Sequence, residues 1–285
     1  MTTRPASSAV ALGYGVGLRP VYFRQVLDEH PAVDWFEVIS ENFMVPGGNA
    51  RRVLREVRAR YPVALHGVSL SVGSDDPLDE AYLARLAALI DEVEPPFVSD
   101  HLCWTGLDGK RGHDLWPLPY TAEALARVID KVARVQDRLR RRILLENPSS
   151  YLRFADDELP EWAFLAEVAR RADCGILLDV NNVVVSGHNH GFSWRDYLAA
   201  VPAERVGYIH LAGHTVTETL RLDTHDAPVA DEVWTAYAEA VRRFGPRPTM
   251  IERDDQFPPL AEVIGEAERA RAVARAVEEG SWRAA

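Results

Sequence analysis

Two short runs decide the fold: Ile143-Leu-Leu-Glu146 and Ile176-Leu-Leu-Asp179, with a helical stretch at 160–172 between them. Each is apolar until it stops on a carboxylate. Strands covered on both faces read this way, and strand, crossover helix and strand make a parallel unit. The pattern continues outward in both directions. Further β-rich runs fall at 14–18, 35–40, 63–72, 97–104, 206–212 and 249–254, which with 143–147 and 175–182 makes eight. Helical periodicity fills most of the gaps. In 78–93, Leu78, Tyr82, Leu83, Leu86, Leu89 and Ile90 recur at three- and four-residue intervals. Thr121 and Glu123 open 121–139 as a cap and a first-turn acid, and Pro160 opens 160–172. Segments 230–244 and 260–279 complete the set, and 19–31 has room for a short helix. Eight strands alternating with helices in 285 residues predict one (β/α)8 barrel over 1–285, with 1–12 as a disordered tail. An open doubly wound sheet is the alternative. Gly13-Tyr-Gly-Val-Gly17 lacks the spacing of its phosphate-binding turn, so it reads as a strand that tolerates glycine.

Composition narrows the function classes. With 43 acidic against 32 basic side chains the net charge is −11, which weighs against a nucleic-acid partner. Two basic clusters, 51–60 and 134–142, alternate with Leu and Val at helical spacing and read as solvated helix faces. No apolar run of about 18 residues is present, so no membrane span is expected. The N-terminus has no signal-peptide pattern. The two cysteines, Cys103 and Cys174, form no C-x-x-C pair, and a reducing cytoplasm is the expected location.

The strand ends carry the chemistry. The third to eighth runs finish Val63-Ala-Leu-His66, Val98-Ser-Asp-His101, Ile143-Leu-Leu-Glu146, Ile176-Leu-Leu-Asp179, Tyr208-Ile-His210 and Met250-Ile-Glu252. Side chains alternate faces along a strand. In five of these six the polar residue follows Leu or Ile, so the aliphatic one faces the helices and the polar one faces the barrel mouth. Asp100, before His101, is the exception and is a candidate partner behind that ligand. Asp223-Thr-His225 adds two more groups from the seventh loop, on the same face. Carboxylates packed together in one mouth raise each other's pKa at a cost that a cation removes. Mixed imidazole and carboxylate ligands suit Fe, Mn or Zn better than Mg or Ca. Eight candidates exceed the needs of one ion, which implies two or three ions and a bridging carboxylate, with Glu146 best placed.

Other positions are weaker candidates. Asn182 could complete a third shell or cap the following loop. His190, with His188, lies in Ser186-Gly-His-Asn-His-Gly191, read as a flexible stretch able to cover the mouth, with His190 touching substrate or standing behind a ligand. His214 could reach the site, and Glu41 could order water or orient a ligand. His30 and His113 read as surface or structural residues, and Cys103 as a small buried hydrophobe. No G-x-S-x-G elbow or Walker loop occurs.

An ordered series of segments resembles one known family. They are Ser40-Glu-Asn-Phe43, Leu65-His-Gly-Val-Ser-Leu-Ser71, Ser99-Asp-His-Leu102, His113-Asp-Leu-Trp-Pro-Leu-Pro-Tyr120, Leu145-Glu-Asn-Pro148, Leu178-Asp-Val-Asn-Asn182, Asn189-His-Gly191, Ile209-His-Leu-Ala-Gly213, Asp223-Thr-His-Asp226 and Ile251-Glu-Arg-Asp-Asp255. Together they look like the multinuclear non-haem iron-dependent oxidative enzymes, the family of the methanobactin-biosynthesis oxidase. The resemblance implies a xylose-isomerase-like TIM barrel holding two or three iron ions (Fe2+/Fe3+). It implies O2 as co-substrate and a ribosomal precursor peptide, usually its cysteines, as substrate. Carried over by motif, one iron takes His66, His101 and Glu146. A second shares Glu146 and takes Asp179, His210 and Glu252. A third takes Asn182, Asp223 and His225. Arg253 stands where many members have an aromatic residue and so bears on the substrate pocket. Members commonly use a separate protein or fused domain to hold the leader. The barrel consumes this chain, so a separate leader-recognition partner, or docking on the barrel itself, is expected. Endonuclease IV and sugar isomerases share a similar array, so a metal-dependent phosphodiesterase or an isomerase is the alternative. The endonuclease has a histidine at the place of Asn182, and an isomerase would want a strand-end lysine, which is not found.

Overall fold

The computed structural model describes residues 12–283. The expected tail lies outside them except for Leu12, which is buried. The side chain of His113 also lies outside the described residues. Eight strands form the barrel: β1 (Tyr14–Gly17), β2 (Trp35–Ile39), β3 (Val63–Gly67), β4 (Val98–His101), β5 (Leu144–Glu146), β6 (Gly175–Asp179), β7 (Val206–Leu211) and β8 (Thr249–Ile251). They pair in parallel in chain order, and β8 closes on β1. The helices are α1 (Phe23–Glu29), α2 (Gly48–Arg58), α3 (Glu80–Val93), α4 (Ala122–Leu139), α5 (Glu161–Arg171), α6 (Val180–His190), α7 (Trp194–Ala200), α8 (Asp231–Phe244) and α9 (Leu260–Glu278). The expected (β/α)8 barrel is therefore what forms. Among the described residues no helix is long and apolar enough to cross a membrane.

Strand alternation builds two apolar layers. Leu65, Leu145, Leu178, Ile209 and Ile251 point outward into the core shared with the helices. Trp35, Ala64, Leu144, Leu177, Tyr208 and Met250 point inward and, with Leu12, fill the barrel. One layer up from the inward set, two residues further along each strand, come Glu37, His66, Glu146, Asp179, His210 and Glu252. Gly15 has its own reason within this packing. A Cβ there would lie 2.5 Å from the Trp35 indole, so the first strand stays bare where that ring fills the barrel.

Several boundaries differ from expectation. The run at 97–104 breaks after His101, and Trp104–Leu107 pairs with Lys110–Trp116 as an antiparallel hairpin on the mouth face. The run at 175–182 stops at Asp179, where α6 begins at once. The stretch around Ser186 and Gly187 is not a flexible cover. It belongs to α6, and both residues are buried. Thr121 caps α4 by accepting from the Ala124 N–H at 3.2 Å, as expected. Pro160 is the N-cap of α5 rather than its first helical residue. In the 51–60 cluster, Arg51 is not solvated. It is buried, and its guanidinium donates to the Phe43 carbonyl and to Glu92.

Candidate metal centre

The mouth of the barrel gathers three sets of side chains whose ligand atoms lie within 4.8 Å of one another. The first is His66, His101 and Glu146. The second is Glu146, Asp179, His210 and Glu252. The third is His225, Glu252 and Asp254. Glu146 faces two sets at once. Its Oε2 is 3.2 Å from His66 Nε2 and 3.4 Å from His101 Nε2, while its Oε1 is 3.7 Å from His210 Nδ1. Glu252 Oε2 lies 3.0 Å from His210 Nδ1 and 3.4 Å from His225 Nδ1, joining the second set to the third. Six residues at the ends of six strands thus converge, five of them as the alternation predicts.

Backbone and hydrogen bonds aim these groups. The ring of His101 donates from Nδ1 to the Gly67 carbonyl at 3.1 Å, leaving Nε2 as the lone-pair nitrogen. Gly67 has no Cβ for a reason: one would come within 2.4 Å of the Asp100 carboxylate. His66 Nδ1 meets Ser99 Oγ at 2.8 Å, Ser99 Oγ meets the Tyr208 hydroxyl at 2.6 Å, and that hydroxyl donates to Glu37 Oε2 at 2.7 Å. His225 has φ 48, a left-handed backbone uncommon for histidine. Asp179 ends β6, caps α6 by accepting from the Asn182 N–H at 2.6 Å, and still turns Oδ2 into the centre.

Burial sets the charges. Burial, then the nearness of His101 and His210, pushes the His66 pKa well down, and burial takes His101 down to about 4. Both rings are therefore neutral, with free lone pairs at neutral pH. Burial raises Glu146 well above the carboxylate range despite His210 nearby, and burial raises Asp179 to about 7. Burial opposes charge on His210, but Glu37, Glu252 and Glu146 outweigh it and raise that pKa. In the same way burial is outweighed at Glu252, where His210 and His225 hold the carboxyl well down.

Several buried atoms in this mouth make no hydrogen bond: Glu146 Oε2, Asp179 Oδ2, Asn182 Oδ1, His210 Nδ1 and Nε2, and His225 Nε2. Orphaned buried polar atoms are costly. Five of these six belong to residues that could hold a metal in the sets above. The donor set therefore fits cations of the kind that take nitrogen and oxygen together.

The third set departs from the one implied by resemblance. His225 does lie 2.6 Å from Asp223 Oδ1 through Nε2, and Asn182, Asp223 and His225 line a common cavity. However, the tight grouping uses its Nδ1 side, with Glu252 and Asp254. The cavity has a volume of about 340 Å³, and His66, His101, Glu252 and Asp254 line it too.

The other candidates fall around this centre. Glu41 Oε1 accepts from the Val68 N–H at 2.9 Å and the Tyr82 hydroxyl at 2.7 Å, which fixes the loop after β3. Asp100 accepts from the His101 N–H at 2.8 Å and the Leu70 N–H at 3.1 Å, so it supports backbone rather than the His101 ring. Arg253 faces away from the centre and pairs with Glu266 on α9 at 2.7 Å. His214 Nδ1 contacts Asn181 Oδ1 at 2.7 Å, and Asn181 donates to Asp223 at 2.9 Å. His30 and His188 are exposed, and Cys103 is fully buried. His190 lies apart from the centre. Its Nε2 contacts Ser150 Oγ at 2.8 Å, and it lines a separate cavity of about 550 Å³ with Arg153, Trp162 and Phe192. Glu161, buried in that cavity's wall, accepts from the Tyr197 hydroxyl at 2.9 Å, and burial raises its pKa to about 7.

Sequence reasoning missed three residues. Arg19 is buried and pairs with Glu252 at 3.1 Å and with Asp254. Asp254 itself was quoted only within a motif. Glu37 is buried inside the barrel, with its Oε1 3.0 Å from His210 Nε2, an ionic contact bent out of hydrogen-bond alignment. The signal for Glu37 was present: a single carboxylate inside the apolar run Trp35-Phe-Glu-Val-Ile39, on the inward face.

Known proteins bear on this site. A protein of the UPF0276 group from Anaeromyxobacter sp. (strain Fw109-5) is 58% identical over 92% of this chain and 93% of its own. Another from Acaryochloris marina is 47% identical over 90% and 93%. Among solved structures, an L-ribulose 3-epimerase superposes with TM-score 0.61 at 15% identity, over 94% of this chain and 96% of its own. A xylose isomerase-like TIM barrel protein from Mycobacterium smegmatis, in complex with magnesium, gives TM-score 0.58 at 13% identity, over 97% and 100%. These likenesses establish a xylose-isomerase-like barrel. The profile of the RiPP precursor modification enzymes MbnB/TglH/ChrH matches residues 13–275. With that match spanning the barrel and its whole polar mouth, this chain belongs to the MbnB/TglH/ChrH family of RiPP precursor modification enzymes.

Proposed function

We propose that this protein is a multinuclear non-haem iron, O2-dependent oxidase that modifies cysteine residues of a ribosomally made precursor peptide. The observation that carries the reading is the set of orphaned buried ligand atoms in one mouth, shared between adjoining groups through Glu146 and Glu252. His66, His101 and Glu146 would hold one ion, and Glu146, Asp179, His210 and Glu252 a second. A third would lie at His225, between Glu252 and Asp254 on one side and Asn182 and Asp223 on the other. Bound iron would supply one-electron redox chemistry with dioxygen. The chain's own part is to keep His66 and His101 neutral and to confine the reacting groups. Ile39, Val68, Thr105 and Leu115 line the same cavity as the ligands.

The rim suits a peptide. Among the described residues, every large apolar side chain that is exposed lies between a strand end and the next helix, on the mouth face. Val21, Val45, Trp116, Leu152, Val216 and Phe257 come from six different loops. Apolar exposure gathered on one face marks an interaction surface. We assign it to the precursor peptide and to a separate leader-recognition partner.

The test is anaerobic loading with ferrous iron, metal analysis, and mass spectrometry of the cognate peptide with and without oxygen. Two or three irons per chain and an oxygen-dependent mass change on a cysteine are expected. An unchanged peptide mass with iron, oxygen and partner present refutes the proposal.

A further inference from the structure

One buried carboxylate touches the supports of both main ligand sets. Glu37 lies on β2, a strand that contributes no group to the three sets. Its Oε2 accepts from Tyr208, which continues through Ser99 to His66 Nδ1. Its Oε1 faces His210 Nε2 at 3.0 Å. His66 belongs to the first set and His210 to the second.

We propose that Glu37 is a positioning residue that orients His66 and His210 together and so fixes which nitrogen each presents to its ion. The inference rests on the metal reading above. The directions of the contacts decide the nitrogens. With Glu37 as final acceptor, Tyr208 donates to it, Ser99 can donate to Tyr208, and His66 donates from Nδ1 to Ser99. Its Nε2 is left with the lone pair, 3.2 Å from Glu146. At His210, Glu37 draws the proton to Nε2, so Nδ1 is left facing Glu252 and Glu146. Hydrogen-bond partners behind a ligating histidine are worth about 10–100-fold in metal affinity. Here one acid serves two histidines, His66 through a hydrogen-bonded relay and His210 through a charge contact, so its loss reaches two ions.

The ring of Tyr208 is held independently of its hydroxyl. It stacks on Phe97 with centroids 4.9 Å apart and meets Trp35 edge-on at 5.8 Å. Tyr208→Phe therefore removes the relay while keeping the packing. Glu37→Gln keeps the shape but removes the charge that both contacts use.

The experiment is titration of the full-length, metal-stripped protein with Co2+ under anaerobic conditions, read by its visible ligand-field bands. Wild type is expected to bind at least two equivalents. Glu37→Gln is expected to weaken two of them by about 10–100-fold and to alter their bands. Tyr208→Phe is expected to weaken only one. Met250→Leu, in the apolar layer beneath, controls for general loosening and is expected to leave the affinities unchanged. If wild type binds and Glu37→Gln binds equally well with the same spectrum, the positioning role is wrong while the metal reading stands. If Glu37→Gln does not fold, Tyr208→Phe decides, and unchanged binding there overturns the proposal. Wild type that takes up no Co2+ overturns both.

Discussion

Replacing Glu161 by glutamine should make this protein more stable at pH 8 and leave it little changed at pH 4. Glu161 begins α5, is buried, and accepts from the Tyr197 hydroxyl at 2.9 Å. Burial carries its carboxyl from an ordinary 4.5 to about 7, with the Tyr197 bond and Arg153 pulling the other way. The folded state therefore keeps a proton that the unfolded chain releases between those values. Stability is lost as pH rises through that window and is level above it. At 1.36 kcal/mol per pKa unit the loss is about 3 kcal/mol. Glutamine has no proton to lose and can still accept from Tyr197. The gap between variant and wild type should widen by that amount from pH 4 to pH 8. For a chain of this size it corresponds to roughly 5–10 °C in Tm. Denaturant melts of both proteins, with a chelator present so that the ligand groups cancel in the difference, provide the measurement. A gap that stays constant across the range would refute the reasoning, because Glu161 would then be ionised in the folded state.

Glu146→Gln removes the carboxylate common to two ligand sets. Metal analysis after anaerobic ferrous loading should show at least one equivalent fewer per chain, with an unchanged circular dichroism spectrum. Asp179→Asn should move stability and metal content in opposite directions. Burial raises that carboxyl to about 7, so the metal-free variant is expected to melt higher than wild type at pH 8 while retaining less iron. Arg19→Met leaves Glu252 buried without its guanidinium. Removing one partner of a buried pair costs about 3–5 kcal/mol, measurable by urea unfolding. Trp116→Asp combined with Leu152→Asp should raise the KM for the precursor peptide at least tenfold, leaving kcat and Tm close to wild type. An unchanged KM would take the peptide off this rim.

The barrel was legible because parallel strands buried on both faces leave short apolar runs, and because His66, Glu146, Asp179, His210 and Glu252 each follow an aliphatic residue that had to face the helices. Arg253, which the resemblance set at the substrate pocket, instead turns to the opposite face from Glu252 and pairs with Glu266. What escaped was long-range pairing. Arg19 meets Glu252 across 233 residues, and Glu37 meets Tyr208 across 171, and neither contact leaves a periodic trace. Helix α6 was hidden for a local reason: Asn181, Asn182, Ser186, Gly187 and Asn189 are poor helix formers. Packing of Val180, Val183 and Val184 against the core holds the helix nonetheless. The hairpin between Trp104 and Trp116 went unseen, and the fourth run was carried past His101 as far as Trp104, since aromatic residues favour strand in either setting.

The junction of β6 with α6 has no slack. Asp179 is the last strand residue, the helix cap and a candidate ligand, and Val180 already belongs to the helix. Elsewhere the chain passes from strand to α-helix through connecting segments, of which those after β7 and β8 also carry His225, Glu252 and Asp254. One residue inserted after Asp179 would turn all of α6 by about 100°. Asn182 would swing out of the cavity it lines, and Asn181 would let go of Asp223. Natural variation in this scaffold should therefore spare the length of that joint while spreading through the other connections, which leaves it the fixed pivot about which new specificities are built.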